Sequence, residues 1–410
     1  MKSILLSICL FSGILFFNSC KKDKITSTDQ TTPIDLNATK GALVKNDNVF
    51  GFNLFNEINK TESNDSNLFV SPLSVAYALA MTYNGADHDT KTAMETVLNL
   101  KGLTVDQINA SYKSLLNQLT SLDNKVIFEN ANSIWYAKGF VVEPEFINVN
   151  STYYNAVVRS LNFALPASKD TINHWVETKT HEKIKTIIDE IPTDAVMFLI
   201  NSIYFKGIWQ YSFDSTNTMQ EPFYPESGLK KNVSMMIQKN KIKYYMNDLL
   251  LAIELPYGIG QYSMIALLPQ SGKTVNNIID QLTPDNWNTW LNSMHYSIDS
   301  IYIHLPKFKF SYEKKLNDVL TTMGMGIAFS ATADFTKINK AGQLQISEVK
   351  HKSFVEVNEQ GTEAAAVTLV AIIKLSMPQD PDFIANKPFL FVIKEKQTNS
   401  ILFIGKVMNP

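Results

Sequence analysis

The chain has 410 residues, 45% of them hydrophobic, and its 37 basic and 39 acidic residues leave a net charge of −2. This length can bury a large core, and a balanced charge without a basic stripe argues against nucleic acid as a partner. The two cysteines, Cys9 and Cys20, lie within the first 20 residues, so no disulfide is expected to stabilise the rest of the chain.

The N-terminal segment has the features of a targeting signal. Lys2 supplies a positive charge, and the apolar run over residues 4–17 is shorter than the roughly 20 residues that span a bilayer. Phe17 stands where ordinary signal peptidase requires a small residue, and residues 17–20 (FNSC) resemble a bacterial lipobox; ordinary secretion is the alternative. We therefore expect removal of residues 1–19 and lipidation of Cys20.

Residues 20–39 would follow this signal as the lipidated cysteine and a flexible tether, because they are polar and contain Pro33. The expected product is an exported bacterial lipoprotein on the outer membrane or the cell surface, with the periplasmic face as an alternative. Residues 40–410 are expected to form a single domain.

Regular structure is predicted to begin with an amphipathic helix over residues 42–58, where apolar residues recur at helical spacing. Residues 67–75 predict a short strand followed by a second helix, with Ser71 as N-cap and Pro72 in the first turn. Further on, density of apolar and β-branched residues predicts strands, and helical spacing predicts helices. Residues 131–146 are predicted to form a strand that runs into a turn. The other predicted strands are 198–209, 251–255, 262–269 and 301–310, and the predicted helices are 172–188 and 312–323. This order indicates an α+β fold with a large sheet.

Residues 359–378 (EQGTEAAAVTLVAIIKLSMP) suit two conformations, because the alanines favour a helix and the β-branched residues favour a strand. In a strand, small side chains would share one face, which would permit insertion beneath a packed layer. These residues are Thr362, Ala364, Ala366 and Thr368. No proline interrupts residues 359–375, and Gly361 would tolerate an unusual hinge conformation.

Together with residues 383–390 (FIANKPFL) and 403–410 (FIGKVMNP), this segment resembles the serpin family. The resemblance implies the serpin fold, with a large central mixed sheet, surrounding helices, further sheets and an exposed reactive-centre loop at about 359–378. A protease that cleaves such a loop is trapped as an acyl-enzyme when the loop inserts into the main sheet. Family register places the scissile bond at Leu375-Ser376, with Lys374-Leu375 as a secondary site.

The resemblance also assigns roles to residues outside the loop. The hinge of the loop would consist of Glu359, Gly361, Thr362, Ala364, Ala366 and Thr368. The polar cluster under the sheet, called the shutter, would consist of Ser71, Ser74, Asn201 and His351. The breach, which is the place where the loop enters the sheet, would consist of Trp209, Lys307 and Glu359. General chemistry gives simpler roles, since hydroxyls at a helix start cap it and a lone histidine is usually hydrogen-bonded in the core. An exposed Lys–Glu pair would contribute only about 0–1 kcal/mol.

Two functions follow from this resemblance. The first is a monomeric suicide-substrate inhibitor of chymotrypsin-, elastase-, subtilisin- or trypsin-like serine proteases, and of papain-like cysteine proteases. The alternative is a non-inhibitory serpin that acts as a surface binding or scaffold lipoprotein. Enzyme activity, metals and cofactors are not expected, because no zinc motif, nucleophile elbow or phosphate loop occurs. The hinge composition favours the inhibitor, and Thr362→Arg is expected to fold and be cleaved without inhibiting, because a charge buried under the sheet would stall insertion.

Overall fold

The structure is a computed structural model that describes residues 38–362 and 380–410. The described residues belong to one compact unit, Thr31–Pro410. The predicted signal peptide, Cys20 and most of the predicted tether lie outside the described residues. So do residues 363–379, which include Ala364, Ala366, Thr368, Lys374, Leu375 and Ser376.

The helices of the described residues surround the sheets. They are α1 (Ala38–Thr61), α2 (Pro72–Tyr83), α3 (His88–Val97), α4 (Val105–Leu119), α5 (Pro144–Tyr154), α6 (Pro166–Lys179), α7 (Val275–Asp280), α8 (Pro284–Ser293) and α9 (Asn317–Leu320). The start of α2 is as predicted, because the Ser71 hydroxyl accepts a hydrogen bond from the Ser74 N–H and Pro72 occupies the first turn. None of these helices is long and apolar enough to cross a membrane.

The strands of the described residues form three sheets. In chain order they are β1 (Leu68–Val70), β2 (Val126–Ala137), β3 (Val157–Leu161), β4 (Met197–Ile208), β5 (Met219–Phe223), β6 (Lys231–Asn240), β7 (Lys243–Met246), β8 (Leu250–Tyr257), β9 (Tyr262–Pro269), β10 (His295–Tyr296), β11 (Ile301–Pro306), β12 (Phe308–Lys315), β13 (Lys350–Asn358), β14 (Gly361–Thr362), β15 (Phe383–Ile384), β16 (Phe389–Glu395) and β17 (Ile401–Val407). Their spatial orders are β1-β17-β16-β9-β8-β7-β10, β15-β11-β6-β5 and β12-β13-β14-β4-β2-β3.

The six-stranded sheet is mixed, because β2 and β3 run parallel whereas the other neighbours are antiparallel. Its centre is unusual. The two-residue strand β14 lies between β13 and β4 and pairs with both, and within the described residues β13 and β4 do not pair with each other. The predicted α+β fold with a large mixed sheet is confirmed.

Aromatic side chains fill the space between the six-stranded and the seven-stranded sheets. Phe205 of β4 lies 5.8 Å from Tyr262 and 6.3 Å from Phe403, measured between ring centroids. Phe69 of β1 stacks on Phe403 at 4.8 Å and on Phe391 at 5.7 Å. This layer is the floor beneath the six-stranded sheet.

Two helix predictions were wrong at their ends. The helix expected over residues 172–188 is α6, which ends at Lys179, because His181 and Glu182 take positive φ angles of 50° and 63°. Ile184 and Ile188 are buried beyond the helix. The helix expected over residues 312–323 begins only at Asn317, because β12 continues through Lys315 in the ladder with β13.

Candidate functional site

The turn that joins β13 to β14 is held by Trp209, which follows β4. The indole Nε1 of Trp209 donates to the carbonyl oxygen of Asn358 at 3.0 Å. The backbone N–H of Trp209 donates to the Gln360 carbonyl at 2.7 Å, and the Phe213 N–H donates to the Glu359 carbonyl at 2.7 Å. Three successive carbonyl groups of the turn are therefore bound by one neighbouring segment.

Glu359 binds Lys307 at this turn. The Lys307 ammonium lies 3.0 Å from Oε1 and 2.9 Å from Oε2, and the Thr218 hydroxyl donates to Oε1 at 2.9 Å. Burial alone would raise the pKa of Glu359, but the hydrogen bonds from Lys307 and Thr218 outweigh it and the pKa lies below its usual value. The Glu359 side chain is only 12% exposed but the Lys307 side chain is 41% exposed, so the pair is partly buried on the Glu359 side.

The two residues of β14 are fitted closely to their neighbours. Gly361 has φ of 151°, and a Cβ atom there would lie 2.1 Å from the Gly207 carbonyl oxygen, so no side chain can replace it without movement. Thr362 is 5% exposed, and its Oγ1 lies 2.8 Å from the Tyr257 hydroxyl. Tyr257 in turn stacks on Trp209, with ring centroids 4.5 Å apart.

This burial of Thr362 changes one prediction. Thr362 is already buried in the intact chain, so Thr362→Arg would introduce a buried charge before cleavage as well as during insertion. An arginine there would be unpaired beside Tyr257 before any cleavage. A test of insertion alone therefore requires a position further along the loop.

The four predicted shutter residues lie in one hydrogen-bonded cluster at the start of α2. The Ser71 N–H donates to Nε2 of His351 at 3.2 Å, and the Ser71 hydroxyl donates to the Leu402 carbonyl at 2.8 Å. The Ser74 hydroxyl donates to Oδ1 of Asn201. Because Asn201 is on β4 and His351 is on β13, one helix turn contacts strands on both sides of β14.

Sequence reasoning missed three members of this cluster. The Asn201 Nδ2 donates to Asn130 and Asn132 of β2, at 2.6 Å in the case of Asn132, and the Ser353 hydroxyl donates to the Phe69 carbonyl. The sequence did contain a pattern that could have predicted the two asparagines of β2. Two asparagines spaced two residues apart in a strand share one face and, where that face is buried, need polar partners there.

His351 is held neutral in this cluster. Burial lowers its pKa to about 4, and a hydrogen bond to the Phe69 carbonyl only partly opposes this effect. Because Nε2 accepts the Ser71 N–H, the proton of the neutral ring is on Nδ1. The ring therefore serves as a hydrogen-bonding residue.

A cavity of about 460 Å³ lies between β4 and β13 beyond β14. Its walls include residues 197–202 of β4 and residues 344–352, which lead into β13, and residues 187–190 also line it. Ser74, Asn201 and His351 are among its lining residues. Across the described residues, no group of three or more His, Cys, Asp or Glu side chains could hold a metal ion.

Comparison with known proteins identifies this architecture. The family model described as Serpin (serine protease inhibitor) matches residues 45–410 of the chain. The chain belongs to the serpin family. The family resemblance noted in the sequence is thus confirmed, and the family description is that of a protease inhibitor and not of an enzyme.

Relatives of this serpin include two mammalian proteins and one from Methanosarcina. It is 34% identical over 382 residues to Serpin B4 of Homo sapiens, covering 88% of this chain and 97% of the relative. It is 35% identical over 373 residues to the leukocyte elastase inhibitor of Sus scrofa, with the same coverage of 88% and 97%. A serpin-like protein of Methanosarcina acetivorans is 32% identical over 426 residues, covering 100% of this chain and 99% of the relative.

Solved structures confirm the serpin fold. Native tengpin, a thermophilic serpin, superimposes with a TM-score of 0.82 at 30% identity, covering 92% of this serpin and 96% of tengpin. Human thyroxine-binding globulin in complex with its hormone gives a TM-score of 0.82 at 27% identity, covering 91% and 100% of the two chains. The three sheets described above are therefore those of the serpin fold.

Proposed function

We propose that this serpin is a suicide-substrate inhibitor of serine proteases, with Leu375-Ser376 as its reactive bond. The observation that supports this most strongly is the opening in the six-stranded sheet. β14 occupies the position between β4 and β13 at one end, and the cavity continues the same position toward the other end. A strand that continued β14 would find an edge to pair with on each side.

The register of β14 supports the loop as that strand. Thr362 pairs antiparallel with Gly207, so each further residue of an inserted loop would lie opposite the preceding residue of β4. Six residues on, Thr368 would lie opposite Asn201 and, by the register with β13, opposite His351. The proposed insertion thus brings a hydroxyl to the hydrogen-bonded cluster of the shutter.

Cleavage would make this insertion possible and favourable. In this register residues 363–372 would lie opposite β4 and residues 363–369 would also lie opposite β13. At a net 0.5–1.5 kcal/mol per ladder hydrogen bond, the total gain is on the order of 10 kcal/mol or more. The target's catalytic serine would attack the carbonyl of Leu375 and form an ester with it, and the Leu375-Ser376 amide bond would break with the amino group of Ser376 as the leaving group. Insertion would then carry the acyl-enzyme away from the hinge before water completes hydrolysis.

The loop sequence supports several target classes. Leu375 suits proteases with a large apolar primary pocket, such as chymotrypsin-, subtilisin- and some elastase-like enzymes, and Lys374 would admit trypsin-like enzymes. The name of one relative, leukocyte elastase inhibitor, adds support for an elastase-like target. Papain-like cysteine proteases are a further class, because they also form acyl-enzymes.

The deciding experiment uses the full chain carrying Cys20→Ser, which cannot be lipidated. It is mixed with chymotrypsin, elastase, subtilisin, trypsin and papain, and the products are run on denaturing gels while the released peptide is weighed. A covalent complex and a peptide beginning at Ser376 are expected. A peptide beginning at Leu375 would move the reactive bond to Lys374. Cleavage by every protease without any complex would favour the non-inhibitory scaffold instead.

We further propose that Cys20 carries a lipid and that residues 20–39 tether the domain to a bacterial outer membrane or cell surface. The support is the FNSC sequence after a short apolar run. The natural chain should fractionate with membranes and incorporate labelled fatty acid, and Cys20→Ser should abolish both. A chain that remains in the soluble fraction unlabelled would indicate ordinary secretion.

A further inference from the structure

The chain that follows the reactive loop is anchored at Asp380, its first described residue. The Asp380 carboxylate accepts the backbone N–H groups of Ile298 at 2.6 Å and Asp299 at 3.2 Å. It also accepts the Tyr244 hydroxyl at 3.0 Å. Three donors from two different segments therefore fix this point.

The same segment stays attached over the next residues. Asp382 accepts the backbone N–H of Tyr302 at 2.7 Å, and β15 then pairs in parallel with β11, with Ile384 opposite His304. Residues 380–384 thus follow residues 298–304 along one edge of the four-stranded sheet.

This anchoring limits the distance between the proposed reactive bond and the body of the protein. Ser376 is four residues before Asp380, and four residues span at most about 14 Å. A protease domain of about 220 residues has a radius of gyration of roughly 17 Å. A protease bound at Leu375-Ser376 is therefore held close to the surface around Asp380, whereas the longer segment from Thr362 to Leu375 imposes no such limit.

Exposed apolar side chains lie on that surface. Ile298 is 77% exposed, and Tyr302 and Ile384 are each 38% exposed. Tyr302 and Ile384 point to the same face of the sheet, since Ile384 is opposite His304, two residues after Tyr302. We call Ile298, Tyr302 and Ile384 the primed-side surface. The Lys239 ammonium lies 4.7 Å from the centre of the Tyr302 ring and supports its orientation.

We propose that the primed-side surface is a second docking site for the target protease, where it contacts an apolar rim of the active-site cleft beside the residues that follow Ser376. The proposal rests on the proposed reactive bond. Tyr302 and Ile384 share one face of neighbouring strands, and a few apolar residues can supply much of the binding energy of an interface. Contact here would stabilise the encounter complex before acylation, so it would raise the rate of association and leave the rates of insertion and hydrolysis after cleavage unchanged.

The test is the variant Ile298→Ser/Tyr302→Ser/Ile384→Ser, made in the Cys20→Ser full chain. It keeps the anchors, because Ile298 and Tyr302 bind Asp380 and Asp382 through backbone N–H groups. The measurement is the second-order rate constant at which chymotrypsin and elastase consume the intact loop, counting complex and cleaved serpin together. We expect a decrease of at least about tenfold, with the stoichiometry of inhibition and the cleavage site unchanged.

The matched control is Val141→Ser, which removes a side chain that is 67% exposed beyond the far end of β2. It should leave the rate unchanged. The single variant Ile298→Ser controls for a folding defect in the triple variant, because Ile298 lies outside any strand. It should by itself slow the consumption of the intact loop measurably. An unchanged rate in the triple variant would overturn the docking surface. Cleavage without complex would refute the inhibitor function but leave this rate comparison valid, and absence of any cut between residues 374 and 376 would overturn both proposals.

Discussion

The proposed insertion can be tested by placing the same charge on either face of the loop. Antiparallel counting from Thr362 puts Ala366 opposite Ile203 and Ser353 in the inserted state, on the face that points into the core. Ala365, one residue earlier, would point to the other face. Ala366→Arg and Ala365→Arg are therefore matched variants that differ by a single position and introduce an identical side chain.

The cost of Ala366→Arg follows from the space at that level of the sheet. Ile203, Ser353 and Thr362 line a cavity of only about 30 Å³ together with Phe69 and Phe403, so there is no room for an arginine side chain. The acidic residue that also lines this cavity, Glu356, is already paired with Lys309 at 3.0 Å. An unpaired buried charge costs about 3–5 kcal/mol. Because 1.36 kcal/mol corresponds to a tenfold change in rate, insertion should slow by about 100-fold or more.

The assay is the stoichiometry of inhibition, which is the number of serpin molecules consumed for each protease trapped. It should rise to about 100 in Ala366→Arg, because hydrolysis then outruns insertion, and should stay near the wild-type value in Ala365→Arg. Both variants should be cleaved at the same bond and at similar rates. Equal trapping by Ala366→Arg, or equal loss in the two variants, would refute insertion in this register.

Three further predictions concern the fold. Burial holds the pKa of His351 at about 4 in the folded protein, against 6.5 in the unfolded chain. The free energy of unfolding should therefore be highest above pH 6.5 and should fall by about 3 kcal/mol as the pH drops to 4. Urea unfolding should show this pH dependence in the wild type and not in His351→Asn. Burial raises the pKa of Asp47 from 3.8 to about 7, and its Oδ2 has no hydrogen-bond partner. The free energy of unfolding should therefore fall by up to about 4 kcal/mol as the pH rises from 4 through 7. At pH 9 Asp47→Asn should unfold at a higher urea concentration than the wild type, and an unchanged midpoint would contradict this. Gly361→Ala should displace β14 and change the fluorescence of Trp209, whereas Gly139→Ala, at a positive φ with open space around it, should cost only about 1 kcal/mol and leave the hinge intact.

Local signals in the sequence were enough for the elements that depend on neighbours in the chain. Ser71 and Pro72 predict the start of α2 because capping involves only the first turn. The end of α6 was not predictable in this way, since apolar spacing reports burial and not hydrogen bonding. Ile184 and Ile188 continue the spacing because they contact the same small core as Trp135 and Ile200, although the chain there is no longer helical.

Contacts between distant residues set the rest of the site. Nothing near Thr362 indicates that its hydroxyl meets Tyr257, which is 105 residues away. The early burial of Thr362 therefore escaped prediction, as did the contact of Glu359 with Thr218. The shutter was different, because the family resemblance supplied four residues and the spacing of Asn130 and Asn132 on β2 could have supplied two more.

The geometry of α2 explains how an opening in the sheet can stay ready for a strand. Accommodating β14 requires β4 and β13 to stand about 9.6 Å apart, twice the usual strand spacing. Ser74 holds Asn201 on β4 and Ser71 holds His351 on β13, and these two serines are one helix turn apart. The spacing of the two strand edges is therefore set by a rigid helix end, at the level where Thr368 would arrive. Insertion in this register would add hydrogen bonds to a cluster that is already in place. Most of the free-energy cost of insertion would therefore come from ordering the loop and little of it from rearranging the sheet.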